Sequence, residues 1–273
     1  MGPRPVVKDE LAAYGSDVDV FLSVKPGITG WWQVQARNDA TYEDGSRQEL
    51  ELWRDGVVQF CCYASTQLTS IVCSLFLGLA ETGTYSILLQ FGTAVYQFSS
   101  VPIKSHYPMY QSAFAEGDAS GMRSIVRRGL SAYCLLFALG TVGVLTIAFP
   151  LLSLFKQGVV LDVSLFVGLS FYLFLWNQHS IFCNLIVSTN RIPYMGGYLV
   201  AAVLGGFLTA TFVSGTGLGA WGLVFGQVLA QAVYNNWKWP HFVMAELGTD
   251  LRHTLYAGFK EWGSMFKHGF FGR

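Results

Sequence analysis

Two short loops near the start of the chain hold a cationic side chain on a constrained backbone. In Gly2-Pro3-Arg4-Pro5, two prolines fix the backbone around a single guanidinium group. In the loop 25–30 (Lys-Pro-Gly-Ile-Thr-Gly), the glycines permit close backbone approach beside the ammonium group of Lys25. Guanidinium and ammonium groups both bind phosphate oxygens. The loops are therefore candidates for phosphate binding, with ordinary surface turns as the alternative that their spacing also fits.

A second group of cations comes just before a long apolar run. Arg123, Arg127 and Arg128 precede a stretch that starts at Gly129 and has no charged residue before Lys156. Arginines at such a boundary contact lipid phosphate or anionic headgroups. The alternative is that they only anchor a cytoplasmic loop, as positively charged residues do next to many membrane-spanning helices.

Polar side chains also occur within the apolar runs. Asn177, Gln178 and His179 fall in the middle of one such run, and we expect them, with Gln97 and Gln227, to line a cavity. The alternative is hydrogen bonding between helices, worth about 0.6 kcal/mol per contact. A weaker hypothesis makes His179 a proton-dependent switch, because histidine titrates near neutral pH.

The composition argues against several other kinds of site. The five cysteines all lie in apolar runs without the spacing of metal ligands, so we expect no metal and no cofactor. The formal net charge is zero, which gives no reason to expect a nucleic-acid partner.

Most of the chain is predicted to form membrane helices. The chain is 52% hydrophobic and 12% charged, about half the charged fraction of an average soluble domain. Between Gly56 and Trp237 the charged residues are confined to a short set: Glu81, Lys104, Glu116, Asp118, Arg123, Arg127, Arg128, Lys156, Asp162 and Arg191.

We therefore predict an all-α membrane protein with six transmembrane helices. A helix needs roughly 20 apolar residues to cross the hydrocarbon core. Six windows qualify, at about 57–79, 84–103, 129–149, 163–187, 194–213 and 218–237.

The six windows set the predicted organisation. Residues 1–55 would form a short irregular cytoplasmic segment, 56–240 the membrane unit, and 241–273 a tail. In the tail, aromatic and leucine residues recur at helical spacing with basic residues between them, which predicts an amphipathic helix in the cytoplasmic interface. The distribution of Lys and Arg favours cytoplasmic N- and C-termini.

The amino-acid sequence of residues 1–55 resembles that of a known protein family. GPRPVVKDEL (2–11) and SVKPGITGWWQVQARNDATYED (23–44) resemble the C-terminal part of bacterial sugar transferases, which move a sugar phosphate from a nucleotide sugar onto polyprenyl phosphate. The resemblance implies that both loops lie at the active-site face near the membrane, and that this membrane is a bacterial inner membrane. It also implies substrate-binding residues, namely Arg4, Lys25, Thr29, Gln33 and Arg37.

The family's catalytic Asp-Glu pair lies upstream of its Gly-Pro-Arg-Pro loop, with Asp as the nucleophile. Asp9 and Glu10 follow the loop and do not correspond to that pair. We therefore assign no catalytic residue, and we lean against enzymatic activity of the segment itself.

The apolar part resembles a second group of proteins. LFLGLAETGTYSILLQ (75–90), STNRIPY (188–194) and GLGAWGLVFGQVLAQAVYN (217–235) resemble the second half of polysaccharide-biosynthesis flippases. The resemblance implies one six-helix lobe that moves a polyprenyl-linked oligosaccharide together with a second copy or a partner lobe. Half of a flippase is thus the first functional hypothesis. The alternatives are a polyprenyl-phosphate sugar-phosphate transferase fragment, or an inactive fusion of the two.

Overall fold

A computed structural model of the protein describes residues 42–155, 161–189 and 191–271. Over these ranges the chain forms helices joined by short turns, and no strand occurs among them. The prediction of an all-α protein is therefore confirmed for this part. The chain divides into two compact units, Met1–Gly56 and Val57–Arg273. The finer predicted boundaries at residues 55 and 240 stay predictions.

Ten α-helices follow one another along the described chain, with one π-helical segment, Val144–Ala148, between the fourth and the fifth. In chain order they are α1 (Tyr42–Phe76), α2 (Leu79–Lys104), α3 (Tyr107–Ala115), α4 (Ala119–Gly143), α5 (Phe149–Phe155), α6 (Val163–Val187), α7 (Met195–Gly215), α8 (Ala220–Ala232), α9 (Asn235–Glu246) and α10 (Leu251–Phe271).

Two of these helices begin at an aspartate that caps the helix. Asp118 accepts hydrogen bonds from the backbone amides of Ser120 and Gly121 at the start of α4. Asp162 accepts one from the amide of Leu165 at the start of α6. The first amides of a helix have no partner within it, so a carboxylate there fixes where the helix begins.

Two helical stretches of the described chain are long and apolar enough to cross a membrane. They are Ala119–Phe155, with a mean hydropathy of 2.3, and Met195–Gly215, with 1.7. Polar side chains such as Gln67, Gln90 and Asn177 lower the mean hydropathy of three other predicted windows, and the window 218–237 is divided between α8, which ends at Ala232, and α9, which begins at Asn235. The prediction of six transmembrane helices is not confirmed.

Apolar side chains of the Val57–Arg273 unit point outward to an unusual degree. On α7, Val203 and Phe207 are 70% and 67% exposed. Some polar side chains are buried beside the apolar core: Ser131, Gln227 and Asn235 are all buried. Large contiguous apolar surfaces are rare on soluble monomers, whereas buried polar side chains commonly join helices within bilayers. The burial pattern therefore agrees with membrane association.

Helices α7 and α8 approach each other closely at two glycines of α8. A Cβ atom added to Gly226 would lie 2.6 Å from the backbone nitrogen of Thr209, and one added to Gly222 would lie 2.9 Å from that of Val213. Small residues four apart permit such contact between helix backbones. The Gly222–Gly226 pair thus fixes the spacing of α7 and α8.

Gly226→Ala is expected to destabilise the protein, because the methyl group meets backbone atoms of α7 and the two helices must separate. Overpacking of this kind costs roughly 1–3 kcal/mol. The midpoint of thermal unfolding in detergent measures the effect. Gly143→Ala is the matched control, since its added Cβ meets nothing within 4 Å. Equal midpoints for the two variants would contradict the proposed close contact.

Candidate functional site

The structure does not describe the substrate-binding residues that the family resemblance implies. Arg4, Lys25, Thr29, Gln33 and Arg37 all lie outside the described residues. Their roles stay predictions. The candidate site that the structure does describe is the basic group at the start of α4.

Two arginines of α4 share one carboxylate of α10. The Nε of Arg127 donates to Oε2 of Glu261 at 3.0 Å, and the Nε of Arg128 donates to Oε1 at 2.5 Å. We call Arg127, Arg128 and Glu261 the arginine clasp. One negative charge faces two positive charges, so the clasp keeps a net positive charge. The side chain of Arg128 remains 60% exposed.

Further contacts surround the clasp. The indole nitrogen of Trp262 donates to the hydroxyl of Ser131 at 3.1 Å, and that hydroxyl donates to the carbonyl of Arg127 at 2.7 Å. A Cβ atom on Gly258 would lie 2.7 Å from the same carbonyl, so α10 needs a glycine there to approach α4 this closely. The rotation of α10 about its own axis is therefore fixed.

The third arginine of the group has a different partner. Arg123 donates from Nη1 to the backbone carbonyl of Leu247 at 3.1 Å. Leu247 follows the last residue of α9, where helix carbonyls lack partners within the helix. A cation at a helix C-terminus also interacts favourably with the helix dipole. Arg123 thus joins the end of α9 to the start of α4.

These contacts change the interpretation of the three arginines. Each guanidinium group already has a protein acceptor, so lipid phosphate would add to those bonds or compete with them. Contact with lipid phosphate stays a prediction. Sequence reasoning missed Glu261, which lies more than a hundred residues from its partners. The available signal was a single acidic residue inside an otherwise basic amphipathic helix.

The five residues predicted to line a cavity have different surroundings. The amide nitrogen of Asn177 donates to the carbonyl of Leu173 at 2.6 Å. His179 donates from Nδ1 to Oδ1 of Asn236 at 3.0 Å. Both side chains are buried.

The amide nitrogen of Gln227 donates to the hydroxyl of Thr209 at 3.3 Å, again within buried surroundings. Gln178 is partly buried and Gln97 is exposed. The assignment of these five residues to a cavity stays a prediction.

An open cavity of about 490 Å³ lies along α9. Its lining residues are Trp237, Lys238, His241, Phe242, Ala245 and Glu246. The ammonium of Lys238 lies over the ring of Tyr234 and donates to its hydroxyl group. Glu246 accepts two hydrogen bonds from Arg191. The charged groups of the lining are therefore engaged by protein neighbours.

Arg191 connects the turn after α6 to the end of α9. Besides its two bonds to Glu246, at 2.7 and 3.1 Å, it donates from Nε to the hydroxyl of Thr189 at 2.9 Å. Its guanidinium also lies over the rings of Phe114 and Phe242. A planar guanidinium is suited to this combination of bidentate pairing and stacking, so Arg191 serves as a structural joint.

Among the described residues, groups of at least three His, Cys, Asp or Glu side chains that could hold a metal ion do not occur. The described cysteines all carry free thiols.

Glu261→Gln is expected to loosen the contact between α10 and α4, since a neutral amide cannot balance two guanidinium charges. Partly exposed ion pairs are worth roughly 0.2–1 kcal/mol, so we expect a loss in that range. Limited proteolysis in neutral detergent measures the loosening as faster cleavage within 247–264. Arg252→Gln is the matched control, because it removes a charge from α10 away from the clasp. Identical cleavage rates for the two variants would contradict the role of Glu261.

The capping contact of Asp118 predicts a pH dependence. Hydrogen bonds from the amides of Gly121 and Ser120 lower the pKa of the Asp118 carboxyl group below 3.8. A lowered pKa in the folded state means that the charged cap stabilises the protein above pH 3.8 and that this contribution is lost as the pH falls through the lowered pKa.

Asp118→Asn should therefore lower the unfolding midpoint at pH 6, and the difference from the native protein should shrink as the pH drops below 3.8. Thermal unfolding in detergent over a pH series measures it. A difference that stays constant across the series would show that the carboxylate charge does not contribute.

Comparison with known proteins gives a family match at the start of the chain. Residues 1–59 match the family described as bacterial sugar transferase. The chain is 58% identical over 53 residues to the undecaprenyl-phosphate galactose phosphotransferase of Salmonella typhimurium, and 56% identical over 53 residues to the UDP-galactose-lipid carrier transferase of Erwinia amylovora. It is 52% identical over 42 residues to the exopolysaccharide production protein ExoY of Sinorhizobium fredii.

The matched segments are short parts of both partners. They cover 19% of this chain and 11% of the Salmonella and Erwinia proteins, and 15% of this chain and 19% of the Sinorhizobium protein. No solved structure matches the chain.

The first functional hypothesis, half of an oligosaccharide flippase, is wrong. The proteins that match are sugar transferases and related exopolysaccharide proteins, and the resemblance of the apolar part to flippases is not shown. That resemblance rests on helix patterning and on short turn sequences, and lipid imposes similar apolar patterning on unrelated membrane helices. The family match that supports a function is the one at residues 1–59, which match the bacterial sugar transferase family.

Proposed function

We propose that this chain serves in the transfer of a sugar phosphate from a nucleotide sugar to polyprenyl phosphate. The observation that carries the proposal is the 58% identity over 53 residues to an undecaprenyl-phosphate galactose phosphotransferase. The reaction breaks the bond that joins the two phosphates of the nucleotide sugar. It forms a new diphosphate link to the polyprenyl carrier and releases a nucleoside monophosphate.

The proposed roles of this chain's residues are in substrate binding. Arg4 and Lys25 offer a guanidinium fork and an ammonium group to phosphate oxygens. Thr29, Gln33 and Arg37 supply further hydrogen-bond donors in the same matched segment. Because the family's Asp-Glu pair precedes its Gly-Pro-Arg-Pro loop, none of these residues is assigned as the nucleophile.

Membrane association is the second part of the proposal. A polyprenyl carrier is confined to the bilayer, so a protein that binds it must lie at the bilayer surface or within it. Two apolar helices and the outward apolar side chains of the Val57–Arg273 unit support this location. Multiple passes with both termini in the cytoplasm are supported by the distribution of Lys and Arg along the sequence. A second copy or partner lobe belongs to the rejected transport hypothesis and is not proposed.

Lys25→Ala and Arg4→Ala are expected to weaken binding of UDP-galactose or undecaprenyl phosphate about 10- to 100-fold. That range corresponds to the loss of one charge-assisted hydrogen bond, about 1.5–3 kcal/mol. Equilibrium binding of the radiolabelled compounds to the full chain in nanodiscs measures it. Lys8→Ala is the control, because it removes a charge of the same sign from the same segment outside both loops. Equal weakening by Lys8→Ala would mean that Arg4 and Lys25 contribute only general electrostatic attraction to the substrates, and no specific binding of their phosphate groups.

Transfer itself is tested in membranes that contain the full chain together with UDP-galactose and undecaprenyl phosphate. Nucleoside monophosphate release above a vector control would show that the chain carries out the reaction. Binding without release would mean that the chain binds the substrates but does not carry out the transfer. Neither binding nor release would overturn the proposal.

A further inference from the structure

We propose that the outward face of α10 binds the surface of an anionic lipid bilayer. The face, which we call the α10 outer face, consists of Arg252, Tyr256, Phe259 and Lys260. The proposal concerns a lipid-binding surface, and it does not depend on the transferase function.

The first step of the argument is that the rotation of α10 is fixed. Glu261, Trp262 and Gly258 all face α4, through the arginine clasp, the bond to Ser131 and close backbone contact. Thr254 is buried on the same side. The opposite side of α10 faces outward, and the Tyr256 and Phe259 side chains on that side are 70% and 43% exposed. Arg252 and Lys260 are exposed as well.

The second step places α10 at the level of the headgroups. The helical stretch Ala119–Phe155 is 37 residues long, or about 55 Å, whereas a hydrocarbon core is about 30 Å thick. Its charged residues are Arg123, Arg127 and Arg128, and the run 129–155 that follows has none. Arg128 therefore marks the boundary between water and hydrocarbon. The arginine clasp holds α10 at that boundary.

The third step is the chemistry of the α10 outer face. Cations with tyrosine and phenylalanine are the side chains that favour a bilayer interface, because the rings enter the acyl boundary while the charges meet headgroups. Within the described part of the chain, hydrogen bonds or ion pairs to a protein acceptor are not found for the side chains of Arg252 and Lys260. The neighbouring acidic residue of α10, Glu261, is already held by two arginines. The face is therefore positive and complements anionic lipid.

The test uses the full chain in nanodiscs with a nitroxide label on Tyr256→Cys. Relative accessibility to oxygen and to a water-soluble nickel chelate reports whether the label lies in lipid or in water. We expect a lipid-like ratio in phosphatidylcholine with 30% phosphatidylglycerol and a water-like ratio in phosphatidylcholine alone. Adding Arg252→Gln and Lys260→Gln should weaken association with anionic lipid about fivefold for each charge lost and restore the water-like ratio.

Lys104→Gln is the matched control, since it removes a positive charge from α2 and should leave the label lipid-exposed in anionic nanodiscs. Retained helicity and an unchanged cleavage pattern in the α10 region show that the variants fold. A water-like ratio in both lipid mixtures would mean that the face is solvated or covered by a protein, and it would overturn the proposal. A lipid-like ratio in both mixtures would show immersion without charge recognition, and it would overturn the anionic specificity.

Discussion

The structure depends on one constraint, that polar groups of the Val57–Arg273 unit must find partners inside it because much of its outer surface is apolar. Helices satisfy their own backbone groups, so the remaining requirement falls on side chains. Buried Asn177, His179 and Gln227 each donate to a neighbouring oxygen, and among the described residues Nε2 of His179 and Oε1 of Gln227 are exceptions that have no partner. Glycines such as Gly226 allow the helices to come close enough for those contacts. Close packing of the helices and hydrogen bonding of their buried polar side chains therefore depend on each other.

The same constraint explains why charges gather at helix ends. Arg123 meets the carbonyl that follows α9, and Arg191 joins the end of α9 to the turn after α6. Asp118 and Asp162 occupy the opposite position, at the starts of α4 and α6. Each charge lies where a helix leaves backbone groups without partners. Charged residues here serve mainly to define helix ends and to join them.

The arginine clasp combines these effects at one level of the unit. It balances two cations of α4 against one carboxylate of α10, and it lies next to the uncharged run 129–155. The contacts between α10 and α4 hold α10 next to this run, which is the placement that the proposed binding of α10 to a bilayer surface requires.

The helical class and the match of residues 1–59 to the bacterial sugar transferase family can be inferred from the amino-acid sequence alone. Apolar runs and a sparse set of charges can be recognised locally, and so can the loops around Arg4 and Lys25. The six-helix count is not confirmed, because polar groups such as Asn177–His179 reduce the hydropathy of their window and because the window 218–237 is divided between α8 and α9. The flippase hypothesis failed because lipid imposes similar patterns on unrelated helices.

Contacts between residues far apart in the chain follow from how the helices pack against each other. Glu261 pairs with Arg127 and Arg128, and Arg123 reaches the carbonyl of Leu247. No periodicity along the chain encodes these pairs, because each depends on how two helices pack against each other. Helix packing in turn depends on side-chain volume at single positions, such as Gly258 against Ser131, which becomes visible only when both helices are placed.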